Sequence, residues 1–281
     1  MRLGVMFERD RPPEELVPFA RALDGAAVDD LWVVEDLGWT GGISSAATAL
    51  AVTSRLRVGL GIAPAPLRNP VLLAMEVGNL ARLHPGRLAA GIGHGVPEWM
   101  RQAGAAVPSP LALLEETLTS VAGLLRGQTV TLDGRAVRLD GVSLVHPPAE
   151  PPPLLAGVFN PRSLALSGRL ADGTVIPEGF LPARVPGVRA AIGATRPHEL
   201  VAITHLYVGD SPAEVRAAVA AEYSPFLKVA PDQVGMAVGD VPEAAAHVRG
   251  LWEAGADTVV LRPVGAEPLA QVERVLEVLR P

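Results

Sequence analysis

His94, Glu35 and Asp36 are the residues of this sequence best suited by type and position to proton chemistry. His94 lies between Gly93 and Gly95 at the end of an apolar strand, and an imidazole exchanges protons near neutral pH. Glu35 and Asp36 end another strand, where an adjacent acid pair in a half-dry pocket can hold a raised pKa and move protons. We therefore interpret the three as candidate catalytic residues. The alternatives are a structural hydrogen bond for His94 and solvated loop acids for the pair.

Three further polar residues lie on or just after later strands. His205 lies within the apolar run VAITHLYV, Arg262 follows the last strand, and Glu178 follows a short apolar strand and a proline. Placed at the mouth of a sheet, these side chains would meet a substrate, so we interpret them as candidate substrate residues. The alternatives are a core position for His205 and a surface ion pair for Arg262.

The composition argues against several classes of function. The net charge is −6 without a basic stripe, so no nucleic-acid partner is expected. The chain has no cysteine, and its six histidines show neither HxH nor HExxH spacing, so no metal site is expected. The one lysine, Lys228, lies outside the predicted strands, which disfavours Schiff-base chemistry.

The ends of the chain and its residue usage predict where the protein works. There is neither a signal peptide nor an apolar run of membrane-spanning length, so we expect a cytoplasmic protein without a membrane partner. Alanine, proline, glycine and arginine dominate, which is typical of GC-rich genomes such as those of actinobacteria.

Short apolar strands alternate with amphipathic helices along the whole chain. The predicted strands are Leu3–Phe7, Leu31–Val34, Arg55–Ile62, Arg87–Gly93, Leu154–Val158, Gly173–Ile176, Glu199–Val208 and Thr258–Leu261. Such strands pair in parallel and are covered on both faces. Eight of them predict a closed (β/α)8 TIM barrel in a single domain, residues 1–281, with ligands at the carboxyl ends of the strands.

Helices and a hairpin fill the connections. Apolar spacing and initial prolines predict helices over Pro70–Leu83, Pro110–Leu125 and Pro161–Leu170, and another from Pro212 to Ala221. We interpret Tyr223–Val238 as irregular. Residues 127–144 alternate with period two around a central Asp-Gly, which predicts a β-hairpin outside the main sheet.

The third and fourth strands, with the helix between them, organise the chain. Both strands are rich in glycine at their carboxyl ends, over Arg55–Ile62 and Arg87–Gly93. Glycine leaves the backbone bare, so that a flat ligand can lie against it. We therefore predict that these two strand ends form the floor of a binding site.

Five segments in this order resemble the bacterial luciferase-like, flavin-dependent oxidoreductases. That barrel family includes FMN monooxygenases and enzymes that use the deazaflavin coenzyme F-420. The segments are LWVVED, RLRVGLGIAPAPLRNPVLLAMEVGNLARLHPGRLAAGIGHG, VTLDGRAVRLDGVSLVHPPAEPPPLLAG, NPRSLALSGRLADGTVIP and VPEAAAHVRGLWEAGADTVVL.

The resemblance implies which residues hold the cofactor. In F-420 members the third strand often bulges at a non-prolyl cis peptide against the ring, and here the matching bond joins Gly61 and Ile62. Ala63 and Pro64 would continue along the ring edge, and Gly93, His94 and Gly95 would lie beside it. The alternative is a trans bulge whose glycine was selected for packing.

The phosphate-bearing tail of the cofactor reaches the loops after the later strands in such barrels. A bare glycine, a helix start with free N–H groups and a fixed positive charge suit a phosphate. The alternative is a plain strand–loop–helix junction. The matching residues are Ala156, Gly157, Val158, Phe159, Asn160 and Arg162.

From the resemblance we expect hydride transfer between F-420 and a small organic substrate. F-420 is preferred to FMN because of the Gly61-Ile62 match and the genome type. The alternative is an FMN monooxygenase supplied by a separate flavin or F-420 reductase, and a further one is a non-catalytic homologue. Some F-420 dehydrogenases carry a glutamate after the fourth-strand glycines, where this chain has Val96-Pro97. Relatives often pair, so a homodimer is expected.

Overall fold

The main sheet closes into a barrel of eight parallel strands, in a computed structural model that describes residues 1–279. The described residues also form a separate hairpin (β5 and β6) and one short additional strand (β10). All the strands, numbered in chain order, are β1 (Arg2–Met6), β2 (Asp30–Val33), β3 (Arg57–Pro64), β4 (Leu88–Gly93), β5 (Val130–Asp133), β6 (Arg138–Val142), β7 (Leu154–Gly157), β8 (Gly173–Ile176), β9 (Glu199–Val208), β10 (Ala237–Gly239) and β11 (Thr258–Pro263). Around the ring they follow the order β1, β2, β3, β4, β7, β8, β9, β11, and β11 pairs with β1. The predicted (β/α)8 barrel is confirmed.

Helices cover the outside of the barrel, and most begin with a proline in the first turn. They are α1 (Leu16–Asp24), α2 (Gly42–Val52), α3 (Pro70–Leu83), α4 (Pro97–Gln102), α5 (Pro110–Leu125), α6 (Pro161–Leu170), α7 (Val185–Ile192), α8 (Pro212–Leu227), α9 (Val241–Glu253) and α10 (Pro268–Leu279). Among residues 1–279, no helix combines the length and apolar character that a membrane crossing requires.

Local capping explains where two of the helices begin. The Asn69 side chain accepts a hydrogen bond from the Val71 N–H at the start of α3. At the start of α9, Asp240 and Glu243 form a reciprocal capping box. Both arrangements satisfy N–H groups that have no partner inside the helix.

The predicted hairpin is confirmed as a separate antiparallel pair, β5 with β6. Its turn is held by Glu116 of α5, whose carboxylate accepts hydrogen bonds from the N–H groups of Arg135, Ala136 and Val137. These bonds lower the pKa of Glu116, against the effect of desolvation.

The prediction of an irregular segment over Tyr223–Val238 is wrong. Helix α8 continues through Pro225 to Leu227, because Tyr223 and Leu227 bury their side chains against the barrel. Lys228 then ends the helix in a left-handed conformation. Strand β10 extends the sheet beyond the end of β8, pairing with the last residues of β9. The short helix α4 was also not predicted.

Two bulky side chains, Trp32 and Ile62, occupy the space beside several glycines of the barrel strands. The Trp32 ring is fully buried inside the barrel, and a Cβ on Gly4, Gly59 or Gly61 would collide with it. Ile62 lies over the next two strands, where a Cβ on Gly93 would meet it at 2.9 Å and one on Gly157 at 2.5 Å.

The expected floor free of side chains is therefore wrong at these glycines, which make room for packing. Gly91 is constrained as well, because a Cβ there would collide with the carbonyl oxygen of Leu60 and meet Ile62 at 3.0 Å. Ile62 is itself only partly buried, so part of this side chain stays accessible at the end of β3.

A buried ionic network closes the other end of the barrel. The Arg57 guanidinium donates to Asp30 at 2.7 Å and to Glu199 at 2.6 Å, joining β3 to β2 and across the ring to β9. Thr258 donates to Glu199 at 2.6 Å, and Arg2 also binds Asp30. Since Asp30 is fully buried, this pairing is what permits a charge at the base of the barrel.

Candidate active site

Arg262 is the centre of a buried polar network at the carboxyl end of the barrel. Its guanidinium donates to Glu8 at 2.5 and 3.0 Å, to Glu178 at 2.9 Å and to the hydroxyl of Tyr223 at 2.8 Å. Burial alone would raise the pKa of Glu178, but the positive charge of Arg262 keeps it below its usual value. Arg262 therefore stays charged and fully engaged within the protein.

His205 and Tyr223 extend this network. Their rings meet edge to face with centroids 4.9 Å apart. His205 is 2% exposed, and its Nδ1 has no hydrogen-bond partner among the described residues. The structure thus brings the three predicted substrate residues, His205, Glu178 and Arg262, into one cluster, while their role toward a substrate stays a prediction.

The two acids predicted as a pair have separate partners. Glu35 binds Arg68 at 2.5 and 2.7 Å and accepts a hydrogen bond from the N–H of Gly42 at the start of α2. Asp36 binds Arg9 at 2.8 Å. Burial raises the pKa of Asp36, although the charge of Arg9 acts in the opposite direction. The two acids predicted as a pair are therefore held by two different arginines.

Arg9 also joins three loops above the mouth. Its guanidinium carbon lies 4.7 Å from the ring centre of Trp39 and 5.9 Å from that of Trp99. The indole nitrogen of Trp39 donates to Asp10 at 3.0 Å. These cation–π and hydrogen-bond contacts connect the loops that follow β1, β2 and β4.

His94 lies directly after β4 and is partly buried. Desolvation lowers its pKa, and a hydrogen bond with the backbone of Pro110 acts in the opposite direction. Its Nδ1 has no hydrogen-bond partner among the described residues. His94 is therefore neutral at pH 7, and its assignment as a catalytic residue stays a prediction.

The predicted ring-binding segment forms the end of β3. The peptide bond between Gly61 and Ile62 is cis, and the pairing of β3 with β4 shifts register between Leu60 and Ala63. The bulge is therefore present at the position that the resemblance implied. Ala63 and Pro64 complete the strand and are buried, and Gly95 adopts a left-handed conformation just after His94.

The predicted phosphate-binding segment joins β7 to α6. The side chain of Asn160 does not cap the helix, so the first N–H groups of α6 are not occupied by it. Arg162 is exposed in the first turn. Ala156 and Val158 are buried, and Phe159 packs on Phe226 of α8 with ring centroids 5.0 Å apart.

Sequence reasoning missed four residues of this site. Glu8 and Arg9 directly follow β1, and charged residues at that strand end were a readable signal. Tyr223 and Phe226 were missed because Pro225 between them suggested that the helix ended earlier.

The burial of His205 predicts a loss of stability in acid. Burial lowers the pKa of His205 to about 4, with Glu178 and Glu8 acting against this and Arg262 and Arg9 adding to it. Between pH 6.5 and 4 the unfolded chain binds a proton that the folded chain excludes, so stability falls as the pH falls. Urea unfolding measures this effect. Between pH 7 and 5, the free energy of unfolding of His205→Gln should fall by about 2 kcal/mol less than that of the wild type.

The exposed His146 offers a matched control for that measurement. His146→Gln should show the pH dependence of the wild type. An unchanged pH dependence in His205→Gln would contradict the prediction.

The chain was compared with known proteins. A model of the luciferase-like monooxygenase family matches residues 1–274. The 5,10-methylenetetrahydromethanopterin reductase of Methanolobus tindarius is 24% identical over 278 residues, which are 97% of this chain and 78% of that protein.

Two solved structures share the barrel. An F-420-dependent secondary alcohol dehydrogenase in complex with an F-420-acetone adduct gives a TM-score of 0.85 at 17% identity, over 100% of this chain and 99% of that one. The second structure is the oxygenating constituent of 3,6-diketocamphane monooxygenase from Pseudomonas putida, in complex with FMN. It gives a TM-score of 0.72 at 16% identity, over 94% of this chain and 92% of that one. With the family match over nearly the whole length, these results establish that the chain belongs to the luciferase-like monooxygenase family, whose members are F-420- or flavin-dependent oxidoreductases.

Proposed function

We propose that the protein uses F-420 for hydride transfer to or from a small organic substrate at the carboxyl end of the barrel. The observation that carries this proposal is the bulge near the end of β3, where the pairing with β4 shifts register between Leu60 and Ala63, at the position where the resemblance places the F-420 ring. An F-420-dependent glucose-6-phosphate dehydrogenase of Nakamurella multipartita, which is 27% identical over 60% of this chain and 54% of that protein, supports the same choice.

The residues present fit such a cofactor at both ends. Arg162 and the free N–H groups of α6 suit a phosphate, since a helix start attracts anions. Ile62 and Val34 offer partly buried apolar surface for a ring, and both pack on the core inside the barrel. When bound, the cofactor supplies the hydride chemistry, and the protein supplies position and dryness.

The titratable side chains at the mouth of the barrel are what the protein itself contributes to the chemistry. Asp36 pairs with Arg9, and burial raises its pKa while the charge of Arg9 acts in the opposite direction. Burial lowers the pKa of His94, and its Nδ1 has no hydrogen-bond partner among residues 1–279. Arg262 binds Glu8 and Glu178 and keeps the pKa of Glu178 below its usual value, so these ion pairs fix the geometry of the site.

A titration tests the proposal. Purified protein should quench the fluorescence of F-420 with a lower Kd than it shows for FMN. Arg162→Ala should weaken F-420 binding about tenfold, which is about 1.4 kcal/mol. Arg138→Ala, on the distant hairpin, should leave the Kd unchanged. Tight binding of FMN alone would reject the preference for F-420, and an unchanged Kd in Arg162→Ala would reject the phosphate placement.

The second candidate function is that of an FMN monooxygenase which receives reduced flavin from a separate reductase. It is favoured by the shared barrel of the FMN-bound diketocamphane enzyme. Oxygen consumption that depends on FMN and an added flavin reductase would select this function. Location in the cytoplasm and an actinobacterial source stay predictions of the sequence.

We also propose that the chain forms a homodimer through α3. Leu72, Met75 and Leu83 are 59%, 52% and 64% exposed and share one face of the helix, and exposed apolar stripes of this kind mark interfaces. Met75→Lys should halve the mass measured by light scattering, whereas Ala213→Lys on the exposed face of α8 should not. A wild-type monomer would contradict this proposal.

A further inference from the structure

A cavity of about 530 Å³ opens beside the Arg262 cluster. It is bounded by the segment after β1, by one face of α8 and by the residues from Pro263 to Pro268, and His205 and Arg262 lie along it. In the ring of strands, β9 and β11 stand opposite β3 and β4. The cavity and the predicted cofactor residues therefore lie on opposite sides of the barrel mouth.

The arginines along the cavity are already paired with carboxylates of the protein. Three carboxylates and three guanidinium groups line it: Glu8, Asp10, Glu222, Arg9, Arg11 and Arg262. Arg262 binds Glu8 and Glu178. Arg9 binds Asp36, and Arg11 binds Glu15. An ionic ligand would have to compete with these pairs, so the cavity is suited to a neutral molecule.

The rest of the wall is largely apolar. Val215 and Val219 come from α8, and Val264 and Pro268 from the segment after β11. A ligand with an apolar body gains free energy by covering such a surface. Size agrees as well, since the volume lies in the range of pockets for small organic molecules.

Three polar atoms along this wall lack a hydrogen-bond partner among the described residues: Nδ1 of His205 and Nε of Arg9 and Arg11. The two Nε atoms belong to guanidinium groups that already pair with carboxylates, so the imidazole is the neutral group among them. His205 is 2% exposed, yet its Nδ1 forms no hydrogen bond among the described residues. A buried polar atom without a partner is costly, and a ligand that pairs with it removes the cost. Since either ring nitrogen of a neutral imidazole can carry the proton, a hydroxyl group, which both donates and accepts, fits both tautomers.

We propose that this cavity is the substrate pocket, and that it takes a neutral molecule with an apolar body and one hydroxyl or carbonyl group hydrogen-bonded to His205. This identification as the substrate pocket rests on the proposed function. The binding of such a molecule does not, because it requires only the cavity and the imidazole.

Benzyl alcohol and toluene are suitable probes, since they differ by one hydroxyl group. Binding is measured without cofactor by NMR of protein labelled with ¹⁵N at histidine. The His205 signals are assigned by their loss in His205→Phe, which keeps a ring against Tyr223. We expect benzyl alcohol to shift them and to bind about fivefold more tightly than toluene. In His205→Phe this preference should vanish.

Two tryptophan variants on α8 locate the site. Ala218 lies on the cavity, whereas Ala221 is exposed on the same helix and does not line it. Ala218→Trp should weaken benzyl alcohol at least tenfold, and Ala221→Trp should leave the Kd within twofold. Equal binding of the two probes to the wild type, no shift at His205, or full binding to Ala218→Trp would each overturn the proposal.

The same samples separate this proposal from the function on which it rests. F-420 and FMN are titrated into the wild type and into Ala218→Trp. If neither cofactor binds the wild type while benzyl alcohol does, the proposed function is wrong, but the cavity is still shown to bind a neutral hydroxyl compound. If a cofactor binds both proteins and benzyl alcohol binds neither, the pocket assignment fails and the proposed function stands.

Discussion

Arg262→Met should lower the free energy of unfolding by about 3–5 kcal/mol, because it leaves two buried carboxylates without their cation. The side chains of Glu8 and Glu178 are only 14% and 10% exposed, so water would replace the guanidinium only in part. Methionine is unbranched and apolar, so it replaces the stem of arginine while it removes the charge. Urea unfolding at pH 7 measures the effect.

The pH dependence of this variant identifies the mechanism. Without Arg262, burial raises the pKa of a folded-state carboxyl, and such a group contributes stability that is lost as the pH rises through that pKa. The deficit of Arg262→Met relative to the wild type should therefore shrink between pH 7 and 5. Adding Glu8→Gln should recover part of the lost stability at pH 7. A deficit that is constant with pH would contradict the assignment to unpaired acids.

A surface ion pair provides the control for this prediction. Arg138 pairs with Asp133 at 3.3 Å, but their side chains are 83% and 90% exposed. Solvated pairs contribute little to stability. Arg138→Met should therefore unfold at the urea concentration of the wild type.

Gly59→Ala should cost about 3 kcal/mol of stability, at the upper end of what overpacking usually costs. The added methyl would stand well inside contact distance of the Trp32 ring, which is fully buried among the side chains within the barrel. Neither the ring nor strand β3, paired on both sides, has room to move. The measurement is again urea unfolding, with tryptophan fluorescence as the signal.

Gly187→Ala is the matched control, since it adds the same methyl in the interior of α7. Nothing lies within 4 Å of a Cβ at this position. Alanine is about 1 kcal/mol better than glycine in a helix, so this variant should be more stable than the wild type. If Gly59→Ala were as stable as the wild type, the Trp32 ring would not occupy the position described here.

Local patterns in the sequence predicted most of the architecture. The strands Gly173–Ile176 and Glu199–Val208 and the helices Pro70–Leu83, Pro110–Leu125 and Pro161–Leu170 have the predicted bounds. Apolar runs, initial prolines and turn residues act on residues that are close in the sequence. A single sequence is therefore enough to recognise the elements that they specify. The alternation of strand and helix then leaves few closed topologies.

The sequence by itself determined that polar residues stand at the strand ends, but only the tertiary structure decided how they pair. Glu8 binds Arg262 across 254 positions of the chain, and Glu35 turns to Arg68 while its neighbour Asp36 turns to Arg9. Likewise, the glycines were visible in the sequence, yet the ring that occupies their space was not. The reason is physical: closure of the barrel juxtaposes residues that are distant in the chain, and no local pattern encodes which side chain will fill a given space.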